Sequence, residues 1–345
     1  MLNEAPSADS WNQISFESYA SVVSELMDAT IEANTLGSFR KIVQSHFTAP
    51  GKMIRPYLAY RLGHILQTPY NHSTAWATTC ELLHNATLIH DDVQDRDVQR
   101  RGKPTLWTQF GDAQAINAGD FLMMSSFQPV LLSSASAEIK NKLMMLFSRM
   151  TCKIVGGQSL ELELNTLKFP EVIYQHYLHC IGLKTAALFS DLAVGLNMLS
   201  PHSPYAHEDI DQLFSKIGIL FQMQDDIIDL YGDKQRDGRG CDIKEGKTSF
   251  LVATHIQKNP EDFGILKSIL EKPRALTTDE DIFWVEELFA NKGTLRTCQI
   301  RVSELKKEIL SFDIVRHSSG MQNLIAEMLN MIFSGKVAVN PDAGR

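Results

Sequence analysis

Two stretches decide how this chain folds: Leu88-Ile89-His90-Asp91-Asp92-Val93-Gln94-Asp95 and Phe221-Gln222-Met223-Gln224-Asp225-Asp226-Ile227-Ile228-Asp229. Both read DDxxD at the end of an apolar run. On a helix of 3.6 residues per turn, the first and last Asp of each cluster share a face and the middle one sits beside them. Working outward, Leu82, Leu83, Ala86, Ile89 and Val93 recur at helical spacing before the first cluster, as do Phe214, Ile217, Phe221 and Ile228 around the second.

Proline marks where such helices stop. Proline-free stretches run over 70–103, 130–169, 171–200, 205–259 and 274–340, and alternating strand-like runs are scarce. No Ser/Gly-rich linker and no internal repeat divides the chain. The expectation is one all-α domain over residues 1–345, with flexible ends at 1–14 and 336–345.

Hydrophobic residues make up 44% of the 345, enough for a large core. With 33 Lys and Arg against 41 Asp and Glu, the net charge of −8 argues against charge-driven binding of nucleic acid or anionic membranes. Five scattered cysteines without a CxxC pair suggest neither a zinc site nor a disulfide framework, so a cytoplasmic location is expected. The start of the sequence lacks the basic and apolar regions of a signal peptide, and no run of 18 apolar residues predicts membrane insertion.

Three carboxylates within one turn repel each other, and apolar flanks bring that repulsion toward the core unless a cation offsets it. Oxygen ligands with room for water suit Mg²⁺, which is typically held by one or two carboxylates together with substrate phosphates. Nearby groups suit such an anion. Lys52 and Arg55 lie three apart, Arg100 and Arg101 follow the first cluster, and Lys184-Thr185 and Lys244 to Lys247 follow later. Arginine offers phosphate a bidentate fork and lysine a mobile point charge. His84 precedes Asp91 by two helical turns on the same stripe, and Gly218, Gln222, Asp225 and Asp229 form another.

With these residues in view, the sequence resembles the trans-isoprenyl diphosphate synthases, or polyprenyl synthases. The resemblance rests on seven collinear segments: GKMIRP from 51, HDDVQDRDVQRRGKPTLW from 90, AINAGDFL from 115, IVGGQ from 154, LKTAAL from 183, FQMQDDIID from 221 and DIKEGK from 242. It implies an isoprenoid synthase-type helical bundle around a deep central cavity, usually homodimeric, that condenses isopentenyl diphosphate with an allylic diphosphate. By position, Asp91, Asp92 and Asp95 would hold Mg²⁺ on the allylic diphosphate, joined by Asp225, Asp226 and Asp229. Three Mg²⁺ ions are implied, with Mn²⁺ as an alternative. Lys52, Arg55, His84 and Arg101 match isopentenyl diphosphate ligands; Arg100, Lys184, Thr185, Gln222 and Lys247 match groups around the allylic substrate.

The sequence departs from this pattern at Asp237, where the family often has Lys, leaving Arg236 or Arg239 to substitute. Glu161 stands where Asp is more usual, and Thr248-Ser249 follows Lys247. Chain length is expected to be set beneath the first cluster, where Ala86 and Thr87 lie ~6 to 7.5 Å down the helix. Both are small, which disfavours a farnesyl product; Met123, Phe127 and Phe147 are the next floor. Geranylgeranyl diphosphate is the expected product and longer polyprenyl diphosphates the alternative. A class I terpene cyclase would have no use for GKMIRP, His84 and Arg101, and a non-catalytic partner subunit would not keep all six Asp.

Overall fold

The computed structural model describes residues 11, 13–48, 51, 53–166, 170–232 and 239–334. Lys52, Arg236, Asp237 and the terminal stretches 1–10 and 335–345 lie outside the described residues. The described chain is almost wholly helical, and its contacts divide it into two compact units, residues 1–152 with 188–214, and 153–187 with 215–345.

In the first unit, helices Phe16–Asn34, Ile54–Ile65, Tyr70–Gln94 and Asp112–Ser125 pack together, and the long helix starts directly after Pro69. Its core side holds fully buried Trp76, whose Nε1 donates to the Leu192 carbonyl at 2.9 Å. Gly195 makes that approach possible, since a Cβ there would collide with the Trp76 ring nitrogen. Gly119, in AINAGDFL, does the same for His90, whose Nε2 a Cβ would strike. That nitrogen also meets Asp120 at 3.2 Å.

The one strand pair among the described residues is Gln99–Arg100 against Lys103–Pro104. Arg101 and Gly102 turn it with φ of +53° and +73°, the two positive values a tight hairpin turn uses. Sequence periodicity gave no sign of this hairpin because each strand is only two residues long. Its effect is to aim two consecutive arginines differently.

The second unit contains the Ile173–Ile181 helix, a π-helical turn at Gly182–Ala186, and helices Phe250–Lys258, Asp279–Asn291 and Thr294–Ser311. The stretch Pro170–Leu199 is long and apolar enough to cross a bilayer by length and composition, but 72% of its apolar window is buried. It reads as core. The Asp279–Asn291 helix begins with a capping box in which Thr278 and Asp281 satisfy each other's backbone amides.

Candidate functional site

The first aspartate cluster ends the Tyr70–Gln94 helix, with Asp95 as its C-cap. Asp92 is only 2% exposed, while Asp91 and Asp95 are partly exposed. His84, Thr87 and Leu88 are also partly exposed, so with Asp91 they form one accessible stripe at spacings of three, one and three. Ala86 is fully buried on the packed side. Of the expected floor residues, Phe147 is 8% exposed and meets the partly exposed Phe127 edge-on at 6.2 Å, and Met123 is partly exposed.

The hairpin delivers Arg100 to this cluster. Its Nη2 lies 2.6 Å from Asp92 Oδ1 and its Nε donates to the same oxygen at 2.7 Å. Burial pushes the Asp92 carboxyl up to about 6 even though Arg100 pulls it down. Arg101 lies against Gly51, where a Cβ would come within 2.7 Å of its guanidinium. This gives the glycine of GKMIRP a physical reason.

Further along the same helix, Glu81 and His84 meet Arg55 of the Ile54–Ile65 helix in a charged cluster with unmet hydrogen bonds. Three buried side-chain atoms lack a partner: Arg55 Nε, His84 Nδ1 and Glu81 Oε2. Burial first, then the charges of Arg55, Arg101 and Arg100, hold His84 well below the usual imidazole range, so it is neutral. Arg55 also stacks over Phe189, 5.5 Å from the ring centre. An unpartnered buried donor such as Arg55 Nε, with Arg101 nearby, is what a bound anion satisfies, whereas Glu81 Oε2 is an acceptor and needs a donor. Glu81 and Asn85 were missed in the sequence, although a glutamate inside the apolar run CELLHNA was a readable signal.

His46 Nε2 lies 3.0 Å from Asn85 Oδ1, and burial takes its pKa from 6.5 to about 4. The folded form therefore binds fewer protons than the unfolded one. Its stability contribution is present above about pH 6.5 and is lost as pH falls toward 4, costing about 3 kcal/mol. Urea unfolding of His46→Gln is expected to show a shallower loss of stability over that window than the wild type; parallel curves would refute this assignment.

In the second unit, Asp225 is partly exposed, whereas Asp226 and Asp229 are 5% and 2% exposed. Asp226 is fully engaged. Its Oδ2 accepts from the Tyr177 hydroxyl and the Phe250 amide, both at 2.7 Å, and its Oδ1 accepts from Gln222 Nε2 at 2.7 Å. Thr185 Oγ1 donates to Gln222 Oε1 at 2.8 Å, which ties LKTAAL to the aspartates. Burial still raises Asp226 to about 6. Tyr177 was missed because its helix reads as plain core.

Lys184 sits in the π-helical turn, a feature frequent at functional sites, and its Nζ meets Glu161 at 2.5 Å. Gly157 of IVGGQ lets this turn approach: a Cβ there would stand 2.6 Å from the Lys184 amide nitrogen. Glu161 is partly exposed; desolvation raises its pKa, yet Lys184 and Lys247 outweigh this and lower it. Lys247 pairs with Glu245 at 2.7 Å, and Arg274 meets the same carboxylate at 3.1 Å. The DIKEGK turn needs Gly246 at φ +69°, where a Cβ would run into the Leu270 carbonyl.

No group of three or more His, Cys, Asp or Glu forms a ready-made metal cage among the described residues. The donor set, oxygen-only and partly exposed at Asp91 and Asp225, fits a hard cation that keeps waters and completes its shell with substrate oxygens. Of the expected site residues that are described, Arg55, His84, Asp91, Asp92, Asp95, Arg100 and Arg101 lie in the first unit, and Lys184, Thr185, Gln222, Asp225, Asp226, Asp229 and Lys247 in the second. Lys52 falls outside the described residues.

The polyprenyl synthetase family model matches residues 37–285. A short chain isoprenyl diphosphate synthase of Methanocaldococcus jannaschii is 33% identical over 62% of this chain and 65% of that protein, just under two thirds of its length. A geranylgeranyl diphosphate synthase of Methanosarcina mazei is 32% identical over 73% of this chain and 78% of its own. The solved polyprenyl synthase of Caulobacter crescentus, complexed with calcium and isoprenyl diphosphate, superposes with a TM-score of 0.79 at 22% identity, covering 96% of this chain and 98% of that one. The chain therefore has the all-α isoprenyl synthase fold and belongs to the polyprenyl synthetase family of trans-prenyltransferases, the isoprenyl diphosphate synthases.

Proposed function

We propose that this chain joins isopentenyl diphosphate head-to-tail to an allylic diphosphate, giving all-trans geranylgeranyl diphosphate. The observation that carries the reading is the set of cations around His84, where buried Arg55 and His84 atoms lack partners, in a chain that also carries two acidic clusters. One reactant diphosphate belongs with the acidic clusters and the other with the cations around His84. A terpene cyclase has no second diphosphate to place there.

Arg55, His84 and Arg101, together with Lys52, bind the isopentenyl diphosphate, and an anion beside His84 draws a proton onto its neutral imidazole. Asp91, Asp92, Asp95, Asp225 and Asp229 are the groups for Mg²⁺, while Asp226 anchors the second cluster through Gln222, Tyr177 and Phe250. Mg²⁺, when bound, supplies charge stabilisation on the leaving diphosphate. Arg100, Lys184 and Lys247 add fixed positive charge there, which lowers the barrier to breaking the allylic C–O bond. The isopentenyl double bond attacks the allylic cation, and pyrophosphate accepts the proton released. Apolar Leu88, Phe221 and Ile228 limit water near the cation.

Five scattered cysteines without a CxxC pair suit a reducing cytoplasm. Because the family it belongs to is usually homodimeric, this chain forms a homodimer, which sedimentation at the mass of one chain would refute. The test of the activity is incubation with labelled isopentenyl diphosphate and dimethylallyl, geranyl or farnesyl diphosphate, with products sized after dephosphorylation. A twenty-carbon alcohol is expected; no incorporation with any primer would refute the proposal.

Product length gives a sharper expectation. Thr87 lies on the accessible stripe and Ala86 on the packed side. Thr87→Phe should shorten the product while the fold persists, whereas Ala86→Phe overpacks the helix interface and costs about 1 to 3 kcal/mol. Chromatography of products with a melting curve for each variant checks both; unchanged length in Thr87→Phe would discard this floor.

A further inference from the structure

At the end of the His207–Tyr231 helix, Arg239 donates from Nε and Nη2 to the Leu230 carbonyl at 3.1 and 3.0 Å. Its Nη2 also meets Glu286 Oε1 at 2.5 Å, and the Glu286 carbonyl accepts from the Tyr231 hydroxyl at 2.9 Å. One guanidinium thus satisfies a terminal helix carbonyl and ties the helix to Asp279–Asn291.

The residues that follow grip the last aspartate of the second cluster. Gly240 donates its amide to the Asp229 carbonyl at 2.9 Å, and Asp242 donates its amide to Asp229 Oδ2 at 3.0 Å. Gly240 has φ +71°, and a Cβ there would stand 2.7 Å from Ile282, so this segment lies directly on the Asp279–Asn291 helix. Moving Arg239 moves Gly240, and moving Gly240 releases Asp229.

We propose that Arg239 is a positioning residue, latched by Glu286, that holds the 240–242 backbone against Asp229 and so fixes that carboxylate for the allylic diphosphate and its cation. The idea rests on the role given to Asp229 above. It differs from a role for Arg239 as a direct phosphate ligand, the substitute for the Lys absent at Asp237, and Glu286 separates the two. As a direct ligand, Arg239 would be held back by Glu286, so removing Glu286 would leave substrate binding unchanged or tighter. As a latch, Arg239 needs Glu286, and removing either has the same result.

The experiment compares Arg239→Gln, Glu286→Gln and the double variant by amide hydrogen exchange in the protein alone and by steady-state kinetics. Exchange at Gly240 and Asp242 is expected to quicken in all three, with KM for the allylic diphosphate up roughly tenfold, KM for isopentenyl diphosphate unchanged and the double variant no worse than either single one. Wild-type exchange and KM in Glu286→Gln would overturn the latch, as would faster exchange with no change in allylic KM. If the wild type transfers no prenyl group, the functional reading falls, and exchange alone then decides whether the latch holds Asp229.

Discussion

Asp91→Asn and Asp225→Asn are each expected to lower kcat by about 10² to 10³-fold or more while leaving the melting temperature near that of the wild type. Both side chains are partly exposed, so losing one negative charge removes no core packing. Asp226→Asn is the informative contrast. Its carboxylate accepts from Tyr177, Gln222 and the Phe250 amide, and an Asn amide group turned toward any of these donors meets a second donor. That variant should lose about 2 kcal/mol of stability as well as activity. Near-normal rates in Asp91→Asn or Asp225→Asn would contradict the metal assignment, and an undiminished melting temperature in Asp226→Asn would contradict its anchoring role.

The second large effect is expected at a glycine. In Gly157→Ala the new methyl would sit 2.6 Å from the Lys184 amide nitrogen and 3.0 Å from Leu183 Cβ, and backbone is what must move. The π-helical turn shifts away from Glu161, Lys184 loses its fixed place, and kcat/KM should fall about 10²-fold with about 1 to 3 kcal/mol lost in stability. A methyl added at the neighbouring Gly156 would meet nothing within 4 Å, so Gly156→Ala should be neutral or gain up to about 1 kcal/mol through helix propensity. Kinetics and denaturant melts on the pair decide the matter. Equal behaviour of the two variants would show that the close approach is unimportant.

Much of this was readable from residue order because helical periodicity and paired charges act over a few residues. The Tyr70–Gln94 helix, its aspartates, and the arginines after it follow from local pattern alone. What the pattern does not carry is the division of labour inside each cluster. Asp225 and Asp226 are neighbours of the same type, yet the second is tied down by Tyr177 and Phe250, groups 49 and 24 positions away in the chain. Likewise Ala86 and Thr87 looked equivalent as a floor, but burial separates them. The hairpin that aims Arg100 at Asp92 is too short for any period. The proposed part for Arg239 as a substitute cation also looks different once its contacts with Leu230 and Glu286 are seen.

If both acidic clusters act through divalent cations on the same allylic diphosphate, metal affinity must depend on that diphosphate and on each cluster. Titration with Mn²⁺ followed by electron paramagnetic resonance reads this dependence, with and without an unreactive allylic thiolodiphosphate, in the wild type and in Asp91→Asn and Asp225→Asn. The analogue is expected to increase Mn²⁺ binding strongly in the wild type, and either substitution is expected to abolish most of the increase. Metal binding that ignores the analogue, or an increase that survives in either variant, would contradict a shared diphosphate site.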